Sequence, residues 1–217
     1  MGAITITLEG LTTGRGGEAL GAPLDLRLAS GEALIVTGPN GAGKSTLIRT
    51  LAGLLPPLRG QVRLGGALAP DGEPARQVGE IAHYLGHRNG LRAGARLFDE
   101  LAFWHRFLGG ESREATGAVE AGLEAVGLPG LSGLSVGHLS SGQQRRAAIA
   151  RLLLVPRPLW LLDEPTAALD AKSQARFARL AQAHLEGGGL IVAATHQPLG
   201  VEGLRVELAA PPQEDRP

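Results

Sequence analysis

Ala33-Leu34-Ile35-Val36-Thr37-Gly38-Pro39-Asn40-Gly41-Ala42-Gly43-Lys44-Ser45-Thr46 is the stretch that decides how this chain folds. The apolar run at 33–37 predicts a short buried strand. From Lys44 onward, Leu47, Ile48, Leu51 and Leu55 recur at helical spacing until Pro56 and Pro57 stop the helix. The loop between them fits G-x-x-x-x-G-K-[ST] in the strand–loop–helix setting that the motif requires. Its glycines let backbone N–H groups converge on phosphate oxygens. The helix N-terminus adds a favourable potential for an anion. Lys44 supplies a point charge to the outer phosphates, and Ser45 a hydroxyl for Mg²⁺. Lysine is a rare choice here: of 21 basic residues, only Lys44 and Lys172 are not arginine.

Working outward, Ile4, Ile6 and Leu8 alternate, as do Leu24, Leu26 and Leu28. Both predict half-buried strands joined through a Gly-rich turn near 14–17. Strands are also predicted at 61–64, 81–85, 159–162, 190–194 and 204–208. Helices are predicted at 96–108, 113–126, 142–154 and 171–185. The fold class is α/β: a core over 1–86 and 141–208 with an N-terminal antiparallel β region, interrupted by a helical subdomain over 87–140. The tail 209–217 is expected to be disordered.

A second motif closes the strand at 159–162. Leu159-Trp160-Leu161-Leu162-Asp163-Glu164-Pro165 is an apolar strand ending in two acids. Ligands of parallel α/β sheets sit beyond the carboxyl ends of the strands. Asp163 is therefore placed to hold Mg²⁺, and Glu164 to orient or deprotonate a water that attacks a terminal phosphate.

The third is Leu139-Ser140-Ser141-Gly142-Gln143-Gln144-Arg145-Arg146, a Ser-Ser-Gly turn that opens a helix. It resembles the signature of ATP-binding cassette (ABC) proteins, with Ser141 in place of the usual first glycine. Phosphate loop, signature, Asp163-Glu164, Ala168-Leu169-Asp170 and His196 stand in that family's order, and the likeness spans residues 1 to about 208. It implies a P-loop NTPase of the ABC ATPase type that binds ATP and Mg²⁺. The strings Tyr84-Leu85-Gly86-His87, 139–146, 159–170 and Ala194-Thr195-His196-Gln197 further resemble the ATP-binding subunits of bacterial haem exporters of cytochrome c maturation. That likeness implies an ATP hydrolase peripheral to the cytoplasmic face of the inner membrane. It would work with a permease and drive export of haem or release of a haem-loaded chaperone.

The resemblance also implies roles. Two copies would share each nucleotide. One binds it with Gly38, Pro39, Asn40, Gly41, Ala42, Gly43, Lys44, Ser45 and Thr46. The other closes on it with Ser140, Gly142 and Gln143. His196 would contact the γ-phosphate, and Asp170 would organise the interface between copies. His87 stands where most members carry a glutamine that senses Mg²⁺ and the attacking water, and the haem-export subunits share this histidine. Residues 10–20 lack the aromatic that usually stacks on adenine. Arg15 either stacks its guanidinium there or is a solvated loop arginine.

Composition excludes other classes. Lys plus Arg equals Asp plus Glu at 21 each, without the basic surplus of a nucleic-acid binder. Cysteine is absent, so thiolate metal sites and Cys nucleophiles are out, and no His or Cys constellation suggests direct haem binding. A soluble ABC-type ATPase acting on DNA or ribosomes usually brings a coiled coil or a second cassette. A small-molecule kinase needs no signature. An exporter of another substrate remains the alternative. Finally, five of the seven aromatics fall in 84–107: Tyr84, Phe98, Phe103, Trp104 and Phe107. They form either the subdomain's own core, through the stripe Leu97, Leu101, Trp104 and Leu108, or anchors for the permease.

Overall fold

The structure, a computed structural model, describes residues 3–209. From residue 210 on, the expected disordered tail lies outside the described residues. The chain opens with β1 (Thr5–Thr12), a short hairpin of β2 (Gly14–Arg15) and β3 (Glu18–Ala19), and β4 (Leu24–Ala29). Next come β5 (Ala33–Thr37), α1 (Lys44–Leu51), β6 (Arg59–Gly65), the single turn α2 (Val78–Ile81) and β7 (Ala82–Leu85). Helices α3 (Leu97–Phe107), α4 (Ala115–Ala125) and α5 (Ser141–Leu154) follow. The chain then runs through β8 (Leu159–Asp163), α6 (Ala171–Glu186), β9 (Leu190–Ala194) and β10 (Leu204–Glu207).

Two sheets carry the fold, in agreement with the expected α/β class. One is antiparallel, in the order β4-β1-β6, and the other is parallel, in the order β10-β5-β9-β8-β7. The parallel sheet is covered on both faces, so its central strands read as unbroken apolar runs. Alternate residues of β5 divide between two cores. Leu34 and Val36 join Leu47, Ile48, Ile6 and Leu8 between the two sheets. Ala33 and Ile35 join Ile149, Phe177 and Leu185 on the helical side. Strands β1 and β4 bury one face only, which is why their sequence alternates.

Helix α3 departs from its predicted stripe. Leu97, Leu101 and Ala102 are buried, and one turn beyond Leu101 the buried position is His105 rather than Trp104. The face that meets α4 and α5 continues 97, 101, 105, four residues apart. Trp104 sits at the edge of that face. Its indole N–H donates to Glu100 Oε1 at 3.2 Å, and the Arg151 guanidinium lies 4.3 Å over its ring. Phe103 and Phe107 turn outward, 42% and 68% exposed.

A buried histidine couples the fold to pH. His83 on β7 is 4% exposed and pairs across the sheet with Trp160, whose ring stacks on His184 at 4.1 Å. The His83 Nε2–H donates to the Val155 carbonyl at 2.8 Å. Burial, reinforced by the nearby charges of Arg157 and Arg151, pushes the ring from 6.5 down to about 4. The folded state therefore binds fewer protons than the unfolded chain between those values. The associated stability is complete above pH 6.5 and is lost as pH falls to about 4. This loss should amount to roughly 3 kcal/mol at most. Denaturant titrations at pH 7 and pH 4.5 should show it in the wild type. His83→Gln, which keeps a donor for Val155, should flatten that part of the profile.

Candidate functional site

The C-terminal edge of the parallel sheet gathers the chemistry. β5 runs into the loop 38–43, where Gly38, Gly41 and Gly43 adopt positive φ of 133°, 84° and 96°. Gly43 is the N-cap of α1, with no side-chain cap and no acidic residue in the first turn. The helix end thus keeps its positive pole directed at the loop. Lys44 is buried and folds back on its own loop, donating from Nζ to the carbonyls of Gly38 at 2.7 Å and Pro39 at 2.9 Å. Pro39 and Asn40 are exposed, Ala42 is buried, and Ser45 and Thr46 are half-buried in the first turn.

Ser45 Oγ donates to Asp163 Oδ1 at 2.8 Å. Asp163 is 1% exposed, and its second oxygen, Oδ2, has no hydrogen-bond partner. An orphaned carboxylate oxygen beside a hydroxyl at a phosphate loop fits the oxygen-rich shell of Mg²⁺. Glu164 follows at φ 49°, a left-handed conformation that is uncommon outside glycine. Its N–H donates to Ala194 O at 2.8 Å. Its carboxylate accepts the His196 N–H at 3.3 Å and lies 3.7 Å from His196 Nε2. The buried Thr195 hydroxyl braces the turn, accepting from Gln197 N at 3.0 Å. Lys44, Ser45, Asp163, Glu164 and His196 are therefore gathered at this edge.

The other predicted residues lie on neighbouring elements. Ser140 and Gln143 cap α5 reciprocally: Ser140 Oγ accepts from Gln143 N, and Gln143 Oε1 accepts from Ser140 N. Gly142 packs close to the Ala168 carbonyl, where a Cβ would lie 3.1 Å away. Asp170 caps α6, accepting the Ser173 N–H at 2.7 Å, and this hydrogen bond holds its carboxyl below the usual range. His87 is exposed just beyond β7. Arg15 is exposed in the β2–β3 hairpin, and nearby Leu20 packs against Gly43 of the phosphate loop.

Sequence reasoning missed Arg145 and Asn89. Arg145 is 2% exposed, and its guanidinium binds Pro165 O, Gly86 O, Asn89 Oδ1, Asp163 O and Glu164 O. Burial lowers its pKa to about 10, which leaves it charged at neutral pH. A signal was available: the buried stripe Leu152, Ile149 and Ala148 runs back at helical spacing onto Arg145.

The ABC transporter family model matches residues 22–167, and the chain belongs to that family. It is a P-loop ATPase of the ABC class, which binds nucleotide and hydrolyses ATP in support of transport. Among curated relatives, "Cytochrome c biogenesis ATP-binding export protein CcmA" of Rhizobium meliloti is 52% identical over 198 residues, covering 91% of this chain and 93% of that protein. The protein of the same name from Rhodopseudomonas palustris is 50% identical over 202 residues, covering 93% and 96%. That of Rhizobium johnstonii is 50% identical over 196 residues and covers 90% of each. A solved ABC transporter ATP-binding protein of Pyrococcus furiosus shares the fold at a TM-score of 0.78 and 23% identity, covering 94% of this chain and 97% of that one.

The phosphate-loop glycines differ in what they tolerate. A Cβ on Gly38 would overlap the Leu208 carbonyl oxygen beside β10, whereas one on Gly41 would meet nothing within 4 Å. Gly41→Ala should therefore cost only backbone strain, about 1–2 kcal/mol. Gly38→Ala should lower the melting temperature further and weaken ATP binding. Paired thermal melts with and without nucleotide check the ranking.

Proposed function

We propose that this chain is the ATP-hydrolysing subunit of an exporter serving cytochrome c biogenesis, with haem as the transported species or as the cargo of the chaperone it releases. Two copies work together against a membrane permease at the cytoplasmic face of the inner membrane. The observation that carries the reading is the meeting of Ser45, Asp163, Glu164 and His196 at one sheet edge around a buried, unpaired carboxylate oxygen. The relatives' shared name supports the process.

In this reading Lys44 leaves the carbonyls of Gly38 and Pro39 for the β- and γ-phosphates of ATP. Ser45 and Asp163 hold Mg²⁺, which supplies charge neutralisation on the phosphate oxygens. Glu164 accepts a proton from the attacking water as its oxygen bonds the γ-phosphorus. The bond to the β–γ bridging oxygen breaks, giving ADP and inorganic phosphate. His196, within reach of Glu164, contacts the γ-phosphate. Ser140 and Gly142 of the second copy close the site, and Arg15 lies beside the adenine.

The permease is proposed to dock on the aromatic patch of α3. Among the described residues, no helix is long and apolar enough to cross a membrane. Phe103 and Phe107 stack at 6.0 Å, and Trp104 meets Phe107 edge-on at 5.5 Å. Exposed aromatic clusters of this kind mark interaction surfaces. The patch is also tied to the stretch that contains His87. Arg151, lying over Trp104, donates to the carbonyls of Tyr84, Asn89 and Gly90.

Two experiments test the reading. Glu164→Gln should bind ATP normally, lose hydrolysis by ~100-fold or more and accumulate an ATP-bound dimer on size-exclusion chromatography. Turnover within a few-fold of wild type would remove Glu164 from the role. Phe107→Ala should leave the melting temperature and ATP affinity nearly unchanged, because its ring is exposed. It should also abolish recovery of the chain with membranes that contain the permease. Full recruitment would refute docking at this patch.

A further inference from the structure

Glu164 is the one acid of the site whose backbone is strained, and a single side chain holds that backbone. At φ 49° its conformation depends on the two peptide planes that flank its Cα. Arg145 Nη2 binds the oxygen of both, Asp163 O at 3.0 Å and Glu164 O at 2.6 Å. Nε extends the grip to Pro165 O at 3.0 Å. On the other side, Nη1 binds Gly86 O at 2.9 Å and Asn89 Oδ1 at 3.2 Å, bracketing His87. A guanidinium has five N–H donors, and all five are engaged, each by a neutral oxygen.

Burying a cation against neutral acceptors is costly, and an apolar residue of similar size is often the more stable choice. A fold that needed only to hold β7 beside β8 has the sheet's own register for that purpose. Left-handed backbone at a non-glycine residue persists only where the surroundings over-determine it. Here the over-determining group is Arg145, together with the backbone bonds from Glu164 N to Ala194 O and from Ala167 N to Glu164 O.

We propose that Arg145 is a positioning residue for hydrolysis: it fixes the peptide planes around Glu164 so that its carboxylate faces the attacking water, and it locks this geometry to the Gly86–Asn89 segment that carries His87. The inference rests on the reading of Glu164 as the group that activates water. It implies that a shift of residues 86–89 reaches Glu164 through one side chain, without moving the phosphate loop.

The test uses the full chain, with single-turnover hydrolysis of Mg²⁺-ATP, equilibrium ATP binding and thermal melts on Arg145→Met and Arg145→Lys, beside Glu164→Gln. Arg145→Met should slow hydrolysis by ~100-fold, the scale of a misplaced catalytic group, with ATP affinity within twofold of wild type. Arg145→Lys keeps the charge but offers three donors for five acceptors, and should recover part of the rate, leaving a loss of about tenfold. A purely structural role would instead lower ATP affinity and melting temperature together with the rate. That pattern would overturn the proposal, as would a rate within twofold of wild type in either variant or failure of both to fold. If Glu164→Gln itself hydrolyses ATP at the wild-type rate, the reading of Glu164 fails, a result separate from any fault in Arg145.

Discussion

The register of three parallel strands is the constraint on which the rest of this molecule depends. Val36 lies opposite Ala194, and Ala194 opposite Asp163. The chain therefore leaves β5, β9 and β8 at the same edge, and the phosphate loop, the Thr195–His196 turn and the Asp163–Glu164 pair are neighbours without further design. Ser45 and Asp163, 118 residues apart in sequence, meet at 2.8 Å because of it. A slip of one residue in β8 would exchange its two faces. Trp160 and Leu162 would leave the helical core for the side of Leu159 and Leu161, and Asp163 would lose Ser45.

The apolar strands supply stability, and the edge consumes some of it. Asp163 is buried with an unpaired oxygen, Glu164 sits in a left-handed conformation, and Arg145 is a buried cation without a carboxylate partner among its hydrogen bonds. Each would be a fault in a purely structural protein. Their meeting in space at the end of β8 is itself evidence that this edge was shaped by chemistry. The same cost is absent from the antiparallel sheet, where Glu9 is paired in solvent with Arg63.

What the sequence revealed and what it hid follow from whether the information is local. The phosphate loop, the strand-end acids and the capped turn at 140–143 are contiguous strings, each carrying its own geometry, so they could be read directly. The buried strands were equally plain, because sheet faces covered on both sides demand unbroken apolar runs. Arg145 and Arg146 are adjacent and chemically identical, yet one is buried against five acceptors while the other reaches Gly127 O at 2.7 Å from a half-buried position. Nothing in their immediate neighbourhood separates them; only the helical phase relative to Ile149 and Leu152 does. The stripe on α3 holds only in part for a related reason. Helical spacing placed Trp104 in line with Leu97 and Leu101, and it does pack against that core, but the fully buried face continues to His105 while the indole is held at the rim by Glu100 and Arg151.

The two helix N-termini proposed to meet the nucleotide are built differently, and the difference has a consequence for the two-copy arrangement proposed above. Helix α5 is closed by its own capping box, so the turn at 140–143 is rigid before any ligand arrives. Helix α1 begins at a left-handed glycine with no side-chain cap, and its lysine is engaged with carbonyls of its own loop. The α5 end is preorganised and can dock as a fixed surface at little conformational cost. The α1 end must first surrender the Lys44 bonds, which nucleotide phosphates can replace and a second copy of the chain cannot. Binding in that order, with ATP before the facing copy, is what this asymmetry favours.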